Sequence, residues 1–269
     1  MRTVVLVVGA LSSVAAVHAQ VEARGEHFTV VGKGIDERTA KQALAAVEPV
    51  WPLVCEAFGV RRARPKEPLR VYLYRALADY VAADRERTGG RFAPNQAMSH
   101  WDSKTAHVAM QPPCADAWLE RHGLPLQTQA MLAWEASHLA RFELCRNFRS
   151  HPGWFYDGLA ASVAERTLRE RLPELGVAPF FEQKWRRVQR LLRNDELPAV
   201  SDLLGEGASD LDMRDRYAAR IAFYRYAEEH AAKALRRVAR AVRTTGGGSG
   251  YAAAVRKVAE RQLGRLDRG

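Results

Sequence analysis

The chain has 269 residues, of which 47% are hydrophobic and 27% charged. This is the composition of an ordinary globular protein with enough apolar surface for a core, which excludes a mainly disordered chain. The formal net charge is +10, yet the arginines are spread over almost every predicted helix and are not interleaved with aromatic residues on one face. This distribution argues against a nucleic-acid partner. The densest group, Arg236-Arg237 with Arg240 and Arg243, predicts a solvated helix face, with loose attraction to anionic envelope polymers as the alternative.

The first nineteen residues predict export. The basic Arg2 precedes an apolar stretch over 4–17, and Val17-His18-Ala19 has the residue sizes that a signal peptidase accepts. We therefore predict a signal peptide over 1–19 and a periplasmic or extracellular protein. The apolar stretch is too short to cross about 30 Å of hydrocarbon, and no later segment is long and apolar enough, so we expect no stable membrane insertion after cleavage.

Residues 20–112 are predicted to form an N-terminal α+β lobe. Alternating apolar residues, helix-cap residues, prolines and glycines place its elements in chain order. These are a strand at 27–31, a helical stretch at 36–58 interrupted at Pro49 and Pro52, a strand at 69–74, a helix at 76–87 and strands at 97–101 and 105–111.

Residues 113–269 are predicted to form a helical lobe. Helical periodicity marks its segments. They are helices at 125–145, 154–171, 179–193, 212–241 and 251–266, with a glycine-rich connector at 246–250. The fold class predicted for the whole chain is α+β.

The predicted helix at 125–145 contains Trp134-Glu135-Ala136-Ser137-His138. In the pattern HExxH, two histidines one helical turn apart bind zinc, and the glutamate polarises the metal-bound water as general base. Glu135 and His138 have this spacing, but Trp134 stands where the first histidine belongs. Taken alone, such a Glu and His are typical of an ordinary polar pair on a helix.

A second motif begins the next predicted helix, with the sequence Trp154-Phe155-Tyr156-Asp157-Gly158-Leu159-Ala160. Together the two motifs resemble the gluzincin clan of zinc metallopeptidases, in which W-[LF]-x-E-G-x-A carries the third zinc ligand. Eighteen residues lie between His138 and Asp157, the gap found in aminopeptidases of that clan. The resemblance covers about 26–265, and its specific part is 134–160. It implies a thermolysin-like fold, with a small sheet packed on the motif helix and a helical lobe behind it, as one peptidase-like domain.

The resemblance also implies roles for individual residues. Glu135 would be the general base, His138 and Asp157 zinc ligands, and Tyr217 and Tyr224 candidates to stabilise an oxyanion. The alternative for these two tyrosines, seven residues apart, is a pair of core aromatics.

Trp134 puts the metal site in doubt. An indole N–H donates a hydrogen bond but cannot bind zinc, and a catalytic zinc normally takes three protein ligands. We therefore expect zinc to be absent or weakly bound. His151, His100 and His107 stay open as substitute ligands.

The resemblance and the replaced ligand together indicate two candidate functions. The first is a catalytically impaired pseudopeptidase that binds peptides or an envelope protein. The alternative is an active zinc metallopeptidase that uses Glu135 as general base with a non-standard ligand set.

The three cysteines allow one disulfide in an exported chain. We predict the pair Cys114–Cys145 and a free, buried Cys55, although the sequence allows all three pairings.

Overall fold

The computed structural model describes residues 20–61, 63–110, 123–145, 152–175, 179–205, 211–245 and 251–264. The predicted signal peptide, Cys114 and His151 lie outside these ranges.

Five short strands form one mixed sheet. In chain order they are β1 Gln20–Arg24, β2 Phe28–Lys33, β3 Leu69–Tyr74, β4 Ala97–His100 and β5 Thr105–Ala109. The spatial order is β1-β2-β3-β5-β4; β2, β3 and β5 are parallel, and the outer strands β1 and β4 are antiparallel to their neighbours. The sequence prediction missed β1 because this edge strand is polar and buries a single residue, Ala23.

Ten α-helices occur in the described ranges. They are α1 Glu37–Val47, α2 Val50–Ala57, α3 Leu77–Thr88, α4 Leu126–Leu144, α5 Gly153–Arg171, α6 Pro179–Arg193, α7 Val200–Gly205, α8 Met213–His230, α9 Ala232–Thr244 and α10 Tyr251–Leu263. Asp36 caps α1 by accepting a 2.7 Å hydrogen bond from the Thr39 amide, and Gly89 ends α3 in the left-handed conformation at φ 74°. The single helix predicted over 212–241 is wrong, because the chain breaks at Ala231, where φ is −139° and ψ is 33°.

Helix α4 lies at the centre of the molecule. Its side chains share one apolar core with inward-facing residues of β3, β5 and α1. Helix α5 packs on α4 and α8, while α3 covers the opposite face of the sheet in a smaller cluster around Tyr74, Tyr80 and Met98. The prediction of an α+β fold with a small mixed sheet and a mainly helical remainder is confirmed.

The contact between α5 and α8 depends on Gly158. A Cβ atom at this position would lie 2.1 Å from Cβ of Tyr224, close to the backbone of α8, where a side-chain rotation gives little relief. We expect Gly158→Ala to lower the free energy of unfolding by about 1–3 kcal/mol through overpacking, as measured by urea denaturation. Gly264→Ala is the matched control, because its Cβ would meet no atom within 4 Å. Equal effects of the two changes would contradict this account of the interface.

Candidate functional site

The motif residues lie where four helices and one strand meet. Helix α4 contributes Trp134, Glu135 and His138. All of its residues from Thr128 to Phe142 are buried, because the helix is covered on all sides. The remaining contributions come from α5, α6, α8 and the edge strand β4. Their side chains form the cluster described below, which we call the motif cluster.

Glu135 points from α4 toward the sheet edge. Its side chain accepts a hydrogen bond from Ser99 of β4, and the residue is 7% exposed. Burial raises the pKa of this carboxyl to about 7, and the Ser99 bond opposes that rise. A carboxyl that titrates near neutrality in a buried position has the proton affinity of a general acid or base.

His138 is enclosed by aromatic rings. Its ring centroid lies 5.7 Å from that of Trp134 and 5.8 Å from that of Tyr156, both in edge contacts. Burial lowers the pKa of the imidazole well below its usual value, and the Arg141 charge acts in the same direction. His138 is therefore neutral at physiological pH.

Asp157 forms an ion pair with an arginine inside the protein. The carboxylate is 1% exposed, and its Oδ2 lies 3.2 Å from Nη1 of Arg220 on α8. Burial raises its pKa to about 7, against the opposing charges of Arg220, Lys184 and Arg141. Gly153 makes room for this ion pair, because a Cβ at that position would lie 2.3 Å from Cζ of Arg220.

Lys184 of α6 lies among three aromatic rings. Its Nζ is 4.3 Å from the ring centroid of Phe180 and 5.6 Å from those of Trp134 and Tyr217, distances at which cation–π attraction acts. Burial lowers the pKa of the amine to about 8, although the Asp157 charge acts to raise it. Phe180 also makes an edge contact with Trp134 at 5.2 Å, so that α6 covers the tryptophan, which is 8% exposed.

The two predicted tyrosines have different environments. Tyr217 borders the motif cluster: the Asp157 charge is the largest cause of its raised pKa, followed by burial. Tyr224 packs instead against the rings of Trp154 and Phe155 in the α5–α8 interface and is almost fully buried. The structure thus brings Tyr217 to Asp157 and places Tyr224 in the core.

His100 and His107 lie on the wrong side of the sheet to replace the missing ligand. His107 forms hydrogen bonds with the Tyr74 hydroxyl (2.7 Å) and with Thr105 (3.2 Å), and His100 makes an edge contact with it at 5.7 Å. Because successive residues of a strand face opposite sides, Ser99 faces α4 while His100 faces away from it. Both histidines are therefore excluded as ligands beside His138.

The described side chains do not fit a catalytic zinc ion. Within the ranges that the structure describes, no three His, Cys, Asp or Glu residues are grouped so as to hold a metal. Trp134 supplies no lone pair, and Asp157 is engaged by Arg220. Catalytic zinc normally takes three protein ligands, a number that this part of the chain does not assemble.

Cys145 is a free thiol buried at the end of α4, and Cys55 is likewise free and buried. The predicted disulfide partner of Cys145, Cys114, lies outside the described residues. Burial raises the pKa of Cys55 to about 11 and that of Cys145 to about 12, so both are unreactive thiols at neutral pH.

The basic residues of the motif cluster could not be found from the sequence. Arg220 and Lys184 belong to helices far from the motifs along the chain, and neither has a neighbouring sequence pattern that marks it.

Comparison with known proteins does not identify a family for this chain. No protein-family model matches the sequence, and a search of curated proteins finds no significant match. No helix in the described ranges is long and apolar enough to cross a membrane.

Proposed function

We propose that this chain is an exported, gluzincin-like protein that binds peptides or an envelope protein without catalysing their hydrolysis. The observation that carries the proposal is the Arg220–Asp157 ion pair, in which an internal guanidinium takes the carboxylate that the resemblance assigns to zinc. A buried carboxylate needs a compensating positive charge. Here the chain supplies that charge itself, and no metal ion is required for it.

Two further contacts support a site without zinc. The Trp134 ring stands beside His138, at the position of the missing ligand. Lys184 and Phe180 of α6 then cover that ring. A divalent cation entering here would meet the positive charges of Lys184 and Arg220 at close range, which opposes its binding.

The free edge of the sheet supports peptide binding. Within the described residues, β4 pairs with β5 on one side only, so its other edge offers unpaired backbone groups to an extended peptide. The strand runs beside α4, and Ser99 of this strand is hydrogen-bonded to Glu135 of that helix. A peptide added to this edge would lie next to the motif cluster.

The first test is the zinc content of the purified protein after dialysis against a weak chelator. We expect far less than one zinc ion per chain, and binding of a fluorescent peptide mixture that a strong chelator leaves unchanged. About one zinc ion per chain, lost in His138→Ala, would overturn the proposal.

One observation favours the alternative of an active zinc peptidase. Glu135 keeps both the position and, with its pKa near 7, the proton affinity that a general base needs. Hydrolysis of quenched fluorescent peptides that is lost in both Glu135→Gln and His138→Ala would establish this alternative.

A further inference from the structure

Helix α9 has one strongly basic face. It contains five basic residues and no acidic one. Lys233, Arg236, Arg237 and Arg240 are exposed, whereas Arg243 is half-buried. Positions 233, 237 and 240 follow the i, i+4, i+7 spacing of one helix face, and 236 lies beside them. The face is about 10 Å long.

The opposite face of α9 is apolar and belongs to the protein core. It consists of Leu235, Val238, Ala239 and Val242, all of them buried. This burial fixes the rotation of the helix, so the four basic side chains are held toward solvent.

The charges on this face have no ion-pair partner among the residues that the structure describes. Exposed arginines on other helices pair with glutamates one turn away, as Arg166 does with Glu170 and Arg256 with Glu260. On α9, Arg237 donates to the neutral Gln262 at 3.0 Å. None of the four exposed basic residues forms an ion pair with any residue that the structure describes.

We propose that this basic face of α9 docks the protein on the surface of a bilayer containing anionic phospholipids. Such a surface presents many phosphate groups in one plane, which suits a ridge of side chains along a helix. Arginine binds phosphate oxygens in bidentate fashion, and each basic residue near the surface adds attraction. Because the apolar face of α9 is already buried, the attachment is peripheral and depends on salt.

A membrane surface fits this face better than a nucleic acid does. Helix α9 contains no aromatic residue. Single-stranded nucleic acids are bound mainly by aromatic side chains on which the bases stack, interleaved with basic residues.

The experiment measures co-sedimentation of the protein with vesicles of phosphatidylglycerol and phosphatidylcholine at low salt. We expect binding that is lost at about 0.5 M salt and on vesicles of phosphatidylcholine alone. The variant Lys233→Gln/Arg236→Gln/Arg237→Gln/Arg240→Gln should bind at least about 100-fold more weakly, since each basic side chain contributes about fivefold.

Two control variants separate the α9 face from net charge and from folding. The first, Arg61→Gln/Lys66→Gln/Arg70→Gln/Arg85→Gln, removes the same charge from exposed positions elsewhere and should bind as the unchanged protein does. The second, Arg236→Lys/Arg237→Lys/Arg240→Lys, keeps the charge of α9 and should retain most of the binding. Equal losses in the α9 variant and the first control, or tighter binding to DNA than to vesicles, would overturn the proposal.

Discussion

Arg220→Met is expected to lower the free energy of unfolding by about 3 kcal/mol at pH 8. Removing one partner of a buried ion pair leaves the other charge uncompensated, which typically costs about 3–5 kcal/mol. Asp157 is 1% exposed, and Arg220 is the cation that pairs with it. The loss should be visible as a lower midpoint in urea denaturation.

The pH dependence of this loss identifies its cause. The folded-state pKa of Asp157, about 7, is above its ordinary value of 3.8, so its stabilising contribution is complete at low pH and is lost as the pH rises through 7. Removing Arg220 raises that pKa further and extends this loss to higher pH. At pH 5 the carboxyl is protonated with or without Arg220. The deficit of the variant should therefore be smaller at pH 5 than at pH 8, by up to about 1.4 kcal/mol.

Two variants serve as controls for the ion pair. Arg225→Met removes a more exposed arginine from the same helix, which pairs with Glu228 at 3.2 Å and with Glu165 at 4.0 Å, and it should cost less than Arg220→Met does. Arg220→Met combined with Asp157→Asn should recover much of the loss, because no buried charge is left unpaired. An Arg220→Met deficit that is the same at pH 5 and pH 8 would mean that the arginine stabilises by packing alone.

The second large expected effect is a gain in zinc affinity. Trp134→His should gain little affinity by itself, because Arg220 still engages Asp157. Trp134→His combined with Arg220→Met presents two imidazoles one helical turn apart and a released carboxylate, which together are three ligands of the kinds that zinc takes. We expect the combined variant to bind zinc at least about 100-fold more tightly than Trp134→His alone, as measured by competition with a chromophoric chelator.

Zinc should also stabilise the combined variant against heat, since a ligand that binds only the folded state raises its stability. Adding His138→Ala to this variant is the matched control and should abolish both effects. If the combined variant gains no affinity, the gluzincin assignment itself is contradicted. If the gain survives His138→Ala, the metal is bound elsewhere in the chain.

Sequence periodicity predicted the bounds of those helices and strands whose own residues alternate or repeat regularly. The alternation in Leu69–Tyr74 gave the bounds of β3, and helical periodicity those of α6. The break at Ala231 was not predicted because no proline or glycine lies between α8 and α9. Strand β1 was missed because its pairing with β2, and not its own apolar content, holds it in the sheet.

The residues of the motif cluster also fall into two groups, those that sequence motifs predict and those that only tertiary packing brings into the site. Spacing along α4 and α5 drew attention to Glu135, His138 and Asp157, because these residues belong to contiguous motifs. Arg220 and Lys184 come from other helices and reach the cluster through tertiary packing. Strand parity excluded His100 and His107, a distinction that required the register of β4 against β5.

The close approach of Arg220 to Gly153 gives a way to recognise related sequences. The guanidinium, held by its ion pair with Asp157, lies in the space that a Cβ at 153 would take. In chains that share this architecture, arginine at the position of 220 should therefore occur with glycine at the position of 153. Chains that keep three zinc ligands have no need of either residue. Under the gluzincin-like function proposed above, this pair of positions, more than the motif around Trp134, would distinguish chains that neutralise the carboxylate with an arginine from chains that bind a metal there.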